Sequence, residues 1–143
     1  MTKPLAVITG ASSGIGEATA KAFSNAGYPT LLLARRVEIM ESFNLKDSIC
    51  KKVDVRDRDA LVSAVRSAEE KYGPTDMLFN NAGVARLADI STQDPNEWDE
   101  MIDVNTKGVM NGMYAVMANM KERQSGTIAV SYTHLTLPTI LLV

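Results

Sequence analysis

Short apolar runs alternate with longer amphipathic stretches along most of this chain. Unbroken apolar residues occupy positions 5–8, 30–34 and 77–79, and another short run ends at Val53. Runs of this kind are typical of strands that are covered on both faces. Helical periodicity fills the spaces between them, at residues 17–23, 37–43, 57–72 and 107–121. Strands that alternate with helices predict parallel βαβ units with right-handed crossovers.

The apolar positions also predict which face of each helix packs on the sheet. In the first helix they are Ile15, Ala18, Ala22 and Phe23, and Gly27 is placed to end that helix. In the helix at 107–121 the apolar residues are Val109, Met113, Val116, Met117 and Met120. This methionine-rich surface is expected to pack on the sheet or against a second subunit, although an adaptable binding face is the alternative.

These elements predict an α/β fold with a Rossmann-like, doubly wound parallel sheet between two layers of helices, in the strand order 3-2-1-4-5. Residues 126–128 are a good start for a fifth strand, and the sheet is expected to be truncated after about that strand. We therefore assign residues 1–129 to one incomplete domain and treat residues 130–143 separately.

Composition narrows the class of protein. The chain has 143 residues, enough for one domain with a core and too few for two ordinary ones. Its net charge of −2 argues against nucleic-acid binding. Its single cysteine, Cys50, cannot form an internal disulfide and is expected in a half-buried strand. Because no apolar run is long enough to span a membrane and no signal peptide precedes the first strand, we expect a cytoplasmic protein without a membrane or metal site.

A glycine-rich turn lies between the first strand and the first helix. Glycines tolerate positive φ and allow close backbone approach, and free N–H groups at a helix start attract anions. A purely structural tight turn is the alternative. The predicted phosphate-binding residues are Gly10, Ser12, Ser13, Gly14, Ile15 and Gly16.

Three later motifs join this turn in forming a recognisable pattern. They are Asp54-Val55, Asn80-Asn81-Ala82-Gly83 and Asp103-Val104-Asn105. With the turn at 9–16, they occur in the order and at about the spacing of the short-chain dehydrogenases/reductases, which the chain resembles from roughly residue 3 to 128. The resemblance covers only the front portion of such an enzyme. It implies an NAD(P)-binding domain.

Two arginines follow the second strand directly. An enzyme that prefers NAD usually has a carboxylate there for the ribose 2′-hydroxyl, but Arg35 and Arg36 stand at this strand end. Guanidinium groups suit a 2′-phosphate, so the pair favours NADP(H) over NAD(H). Two solvated loop arginines are the alternative.

The resemblance also assigns roles to the later motifs. It implies that Asp54 and Val55 hold the adenine end of the cofactor, and that Asn81, Ala82 and Gly83 line the cofactor. A plain surface carboxylate at Asp54 is the alternative. It implies further that Asn105 belongs to the catalytic tetrad and holds a water in its proton relay. Without the resemblance, an asparagine near a helix start would be a cap.

The chain as given lacks the other catalytic residues of the family. The resemblance implies hydride transfer between nicotinamide and a carbonyl or secondary alcohol carbon of a small molecule, assisted by a serine and a Tyr-x-x-x-Lys pair. We expect this chain to be inactive without them. The resemblance implies a homodimer or homotetramer for the full-length protein. A non-catalytic nucleotide-binding half-domain and a non-folding artefactual reading frame are the alternatives.

The last residues, 130–143, differ in sequence pattern from the rest of the chain. Residues 130–139 resemble one reading frame of a translated sequencing adapter, so residues 130–143 are interpreted as a non-native tail. On this interpretation Tyr132 and His134 are not catalytic candidates, and Tyr132 has Thr136 where the family would have lysine. A natural, diverged terminus is the alternative.

Overall fold

The computed structural model describes residues 3–132. Its strands are β1 (Leu5–Thr9), β2 (Thr30–Ala34), β3 (Ser48–Lys52), β4 (Thr75–Asn80) and β5 (Thr127–Val130). Its α-helices are α1 (Gly14–Asn25), α2 (Val37–Glu41), α3 (Arg58–Tyr72), α4 (Pro95–Ile102) and α5 (Gly108–Arg123). All strand pairs are parallel, in the order β3-β2-β1-β4-β5. The predicted Rossmann-like fold and its strand order are confirmed.

Strands β1 and β2 are buried on both faces. Successive side chains of a strand face opposite sides of the sheet, so one apolar run supplies two separate cores. Leu5, Val7, Leu31 and Leu33 pack with apolar residues of α3 and α5. Their neighbours Ala6, Ile8, Leu32 and Ala34 pack with Ala20 of α1 and Met40 of α2. This alternation produces the three-layer αβα arrangement.

Helix α1 packs on the sheet through a different face from the one predicted. Ile15 is 54% exposed, and Ala18 and Ala22 are also exposed, whereas Gly16 and Ala20 are buried. Phe23 is partly buried against the sheet, as predicted. The prediction was wrong because it counted apolar side chains. Small residues form the contact instead, since they let the helix approach the sheet closely.

In helix α5 two of the predicted apolar residues, Val116 and Met120, are buried, but small residues share the contact. The buried residues of this helix are Gly108, Asn111, Gly112, Val116 and Met120, whereas Met117 is 45% exposed. A π-helical turn, Asp103–Lys107, joins it to α4. Within residues 3–132, no helix is both long enough and apolar enough to cross a membrane.

The last described residues extend the sheet slightly beyond the predicted boundary at residue 129. Strand β5 continues to Val130, and the backbone N–H of Ser131 donates to the carbonyl oxygen of Asn80 at 3.1 Å. Tyr132 is 80% exposed. His134 lies outside the described residues, as do all of residues 133–143. The assignment of 130–143 as a non-native tail therefore stays a prediction.

Candidate active site at the carboxyl edge of the sheet

A cleft of about 310 Å³ opens at the carboxyl ends of the strands, where the chain leaves β1 toward one side of the sheet and β4 toward the other. Ligands of doubly wound sheets bind at such switch points. The predicted residues that line it are Gly10, Ser12, Ser13, Arg35, Arg36, Asp54, Val55, Asn81, Ala82 and Gly83. The predicted residues Gly14, Ile15, Gly16 and Asn105 lie outside this lining.

The glycine turn is packed directly against the end of β4. Gly10 has φ of +65°, and a Cβ atom there would lie 2.7 Å from the Cα of Ala82. Gly16 sits on the opposite side, where a Cβ would fall on the carbonyl oxygen of Gly10 and 2.5 Å from Nδ2 of Asn81. Gly10 therefore shapes the cleft, and Gly16 allows α1 to close against the turn.

Thr9 fixes the relative position of these two strand ends, a role that the sequence reasoning missed. Its hydroxyl oxygen accepts hydrogen bonds from the backbone N–H groups of Asn81 and Ala82, both at 3.0 Å. The side-chain amide of Asn81 donates in return to the carbonyl oxygens of Thr9 and Gly10, both at 3.2 Å. The only local signal is a threonine directly before the first glycine of the turn.

The two arginines that directly follow β2 also line the cleft. Nη2 of Arg36 donates to the hydroxyl oxygens of Ser12, at 3.3 Å, and Ser13, at 3.4 Å. Arg35 and Arg36 are exposed, and both line the cleft. Ser13 is the N-cap residue of α1, but its hydroxyl makes no capping hydrogen bond. Cationic groups and serine hydroxyls thus meet at the start of a helix, where negative charge is stabilised.

Asp54 and Val55 line the cleft beside the arginines, after the neighbouring strand β3. Arg56 holds the Asp54 carboxylate with two side-chain contacts, Nε to Oδ1 at 3.0 Å and Nη2 to Oδ2 at 2.6 Å, and its backbone N–H donates to Oδ1 at 3.0 Å. These bonds from Arg56 lower the pKa of Asp54, and the nearby charge of Arg35 contributes to the shift. The carboxylate therefore stays ionised at neutral pH.

Asn105 lies in the π-helical turn, beside the cleft rather than in its lining. Its Oδ1 accepts from the backbone N–H of Val84, and its Nδ2 donates to the carbonyl oxygen of Val84, both at 2.8 Å. A Cβ atom at Gly83 would lie 3.3 Å from the same Oδ1. The side chain of Asn105 thus fixes the backbone that follows β4. Within residues 3–132, no group of three or more His, Cys, Asp or Glu residues is placed to hold a metal ion.

A family model, curated relatives and solved structures all give matches of the same kind. The family model described as "short chain dehydrogenase" matches residues 4–132. The chain is 41% identical over 128 residues to an uncharacterised oxidoreductase of Listeria monocytogenes, with 85% of this chain and 52% of that protein covered. It is 36% identical over 126 residues to the acetoacetyl-CoA reductase of Paracoccus denitrificans, with 87% and 52% covered. The chain spans about half the length of the curated relatives it matches.

Solved structures share the fold. The apo form of LigO from Sphingobium sp. strain SYK-6 superposes with a TM-score of 0.86 at 33% identity, covering 96% of this chain and 56% of that one. A metagenomic short-chain oxidoreductase in complex with NADP superposes with a TM-score of 0.81 at 30% identity, covering 89% and 61%. With the sheet order and the motif-lined cleft, these matches show that the chain belongs to the short-chain dehydrogenase family.

Proposed function

We propose that this cleft binds NADP(H), and that the chain is the cofactor-binding part of an oxidoreductase acting on a small carbonyl compound or secondary alcohol. The observation that carries the proposal is the convergence of the glycine turn, the arginine pair and Asp54 on one cleft of about 310 Å³. The positions of these groups suit the diphosphate, the 2′-phosphate and the adenine of the cofactor respectively.

The diphosphate is assigned to the glycine turn. Gly10 packs against Ala82 and adds no side chain to the cleft. Helix α1 begins four residues later, at Gly14. A helix start offers free N–H donors and the positive end of the helix dipole. The hydroxyl of Ser13 makes no capping hydrogen bond, so it is available to donate to a phosphate oxygen.

The 2′-phosphate is assigned to Arg35 and Arg36. The last residue of β2 is Ala34, and no carboxylate follows at the position that usually binds a ribose 2′-hydroxyl. Arginine forms strong, directional hydrogen bonds to phosphate. Support comes from structural neighbours: the metagenomic oxidoreductase is complexed with NADP, and an alcohol dehydrogenase of Thermococcus sibiricus, 30% identical, is complexed with 5-hydroxy-NADP.

The cofactor supplies hydride chemistry when it is bound, and the chain's residues bind and orient it. Asp54 and Val55 hold the adenine end, and Asn81, Ala82 and Gly83 line the middle of the cleft. Asn105 is proposed as the family's catalytic asparagine, next to the backbone that it fixes through Val84. No tyrosine among the 143 residues has a lysine four positions later, so we propose that this chain binds the cofactor without turning substrate over.

A cytoplasmic location and a homodimeric or homotetrameric full-length protein belong to the same proposal. The side chains of Ile102, Met110 and Met117 are 56%, 62% and 45% exposed along α4 and α5. An apolar helical surface of this kind suits contact with a second subunit.

Fluorescence titration of the purified chain with NADPH and with NADH tests the assignment. We expect NADPH to bind at least about tenfold more tightly, since charge-assisted hydrogen bonds to the 2′-phosphate have no counterpart in NADH. No NADPH oxidation should accompany binding when carbonyl compounds are added. Equal affinity for the two cofactors would contradict the NADP preference, and absence of binding by either would overturn the proposed function.

A second candidate function is a non-catalytic nucleotide-binding half-domain, which the lack of a Tyr-x-x-x-Lys pattern favours. Both candidate functions predict cofactor binding by this chain, so a binding measurement cannot distinguish them and the gene sequence is needed. Genomic sequence across codon 129 decides: a downstream serine and Tyr-x-x-x-Lys support the enzyme, and a natural stop near residue 143 supports the half-domain.

A further inference from the structure

Asn111 is a buried polar residue on the inner face of α5. It is 4% exposed, and it lies where α5 packs against the residues that follow β3. Its Oδ1 accepts from Nε of Arg58 at 2.9 Å. Its Nδ2 donates to the carbonyl oxygen of Val55 at 2.8 Å and lies 3.4 Å from that of Arg56. Since arginine can only donate and a carbonyl can only accept, these partners fix which way the amide faces.

The carbonyl groups bound by Asn111 belong to the rear of the cleft wall. Val55 lines the cleft, next to Asp54, and Asn111 contacts the same short connection from outside the cleft. Gly108, one helical turn before Asn111, permits this contact, because a Cβ there would lie 2.6 Å from Cγ2 of Val55. Helix α5 therefore approaches the wall closely enough for one amide to tie it down.

Local hydrogen bonds alone do not anchor this connection to the rest of the protein. The backbone N–H of Asp57 donates to the carbonyl oxygen of Asp54 at 2.9 Å, and Arg56 holds the Asp54 carboxylate. Both interactions stay within the connection. The backbone N–H of Val53 ties the start of the connection to the carbonyl oxygen of Ala34 in β2 at 3.0 Å. Asn111 lies 56 residues from Val55 in sequence, and its hydrogen bond fixes the next part of the connection against α5.

We propose that Asn111 is a positioning residue for the adenosine end of the cleft, acting through Val55 and Asp54 without touching the ligand. This inference rests on the proposed function, because it needs adenosine to bind between that wall and the arginines. On this inference Asn111, a residue of α5 outside the four sequence motifs, contributes to cofactor affinity.

The test is an Asn111→Asp variant titrated with adenosine 2′,5′-bisphosphate, the adenosine end of NADP. Aspartate keeps an acceptor for Arg58 but replaces the Nδ2 donor with an oxygen that faces two carbonyl groups. We expect the Kd of the folded variant to rise about tenfold. If Asn111 only stabilises the fold, the urea unfolding midpoint falls while the Kd stays at the wild-type value, and the inference is overturned.

Asn119→Asp is the matched control. Asn119 lies on the same helix, and its Oδ1 likewise accepts from an arginine, Nε of Arg123 at 2.8 Å, but far from the cleft. We expect it to leave the Kd unchanged, and an equal rise in both variants would refute the positioning role.

Arg58→Met covers the case in which Asn111→Asp does not fold. Arg58 is exposed, so its loss removes one of the partners that orient the Asn111 amide without leaving a buried charge. The Kd should rise about two- to threefold, and an unchanged Kd would count against the inference. Wild-type chain that binds neither the bisphosphate nor NADPH would instead show that the proposed function itself is wrong.

Discussion

Thr9 and Asn81 hydrogen-bond to each other twice across 72 residues of sequence. The backbone N–H of Asn81 donates to Oγ1 of Thr9 at 3.0 Å, and its Nδ2 donates to the Thr9 carbonyl oxygen at 3.2 Å. The same Oγ1 accepts from the backbone N–H of Ala82. Thr9 is 1% exposed, and its one hydroxyl therefore joins the end of β1 to the end of β4 beneath residues that line the cleft.

Replacing Thr9 with valine should destabilise the chain strongly. Valine keeps the shape of threonine but leaves the N–H groups of Asn81 and Ala82 without their acceptor. A buried donor left unpaired costs about 1–3 kcal/mol, and these two donors are only half-buried, so we expect the free energy of unfolding to fall by about 1–3 kcal/mol in total. Urea denaturation measures the change. Thr9→Ser, which keeps the hydroxyl, is the control, and similar losses in both variants would disprove the role of the hydroxyl.

Gly16 and Gly14 should respond differently to alanine although they lie two residues apart. At Gly16 the added methyl meets the carbonyl oxygen of Gly10 and Nδ2 of Asn81, so α1 must shift, and we expect a loss of about 3 kcal/mol. At Gly14 no atom lies within 4 Å, and only the φ of +57° is unfavourable, which costs about 1 kcal/mol. Urea unfolding of both variants compares the cost of the steric clash at Gly16 with the cost of the backbone strain at Gly14. A larger loss of stability in Gly14→Ala would contradict this prediction.

The strands and the glycine turn could be predicted from the sequence because their signals are local. An unbroken apolar run marks a strand buried on both faces, as in β1 and β2, and glycines mark the turn between β1 and α1. The helix faces could not be predicted in the same way. Gly16 and Ala20 of α1 and Gly108 of α5 are buried because they are small, and a count of apolar side chains overlooks them.

Residues whose roles depend on distant partners were also missed. Thr9 acts on Asn81, 72 residues later, and Asn111 acts on Val55, 56 residues earlier. Neither pair has any spacing that a helix or a turn would produce. The lining of the cleft was predicted more completely, because parallel strands bring all their carboxyl ends to one edge of the sheet.

Arg36 should control the choice between the two nicotinamide cofactors. In Arg36→Gln the side chain loses its charge next to Ser12 and Ser13, so NADPH affinity is expected to fall about tenfold or more. NADH lacks the 2′-phosphate, and its affinity should stay within roughly a factor of two. Paired fluorescence titrations give the ratio. Arg66→Gln, an exposed arginine of α3 outside the cleft, is the control, and an equal fall for both cofactors would argue against a 2′-phosphate contact.

The ion pair between Asp54 and Arg56 should make part of the stability depend on pH. Hydrogen bonds from Arg56 lower the pKa of Asp54 below its ordinary value of 3.8 in the folded chain. A lowered folded pKa stabilises the fold above the ordinary pKa, and this stabilisation is lost as the pH falls through the folded value. Because both side chains are partly exposed, 28% for Asp54 and 42% for Arg56, the contribution is at most about 1 kcal/mol.

Comparison of the wild-type chain with Asp54→Asn isolates this contribution. Urea unfolding from about pH 6 down to about pH 3 should show the variant less stable at the upper end, with the gap closing toward the lower end as the wild-type carboxylate takes up its proton. Arg56→Gln, which removes the partner of the carboxylate, is the matched control: adding Asp54→Asn to it should open a smaller gap than in the wild-type chain. A gap that widens as the pH falls would mean that Asp54 is destabilising as a carboxylate.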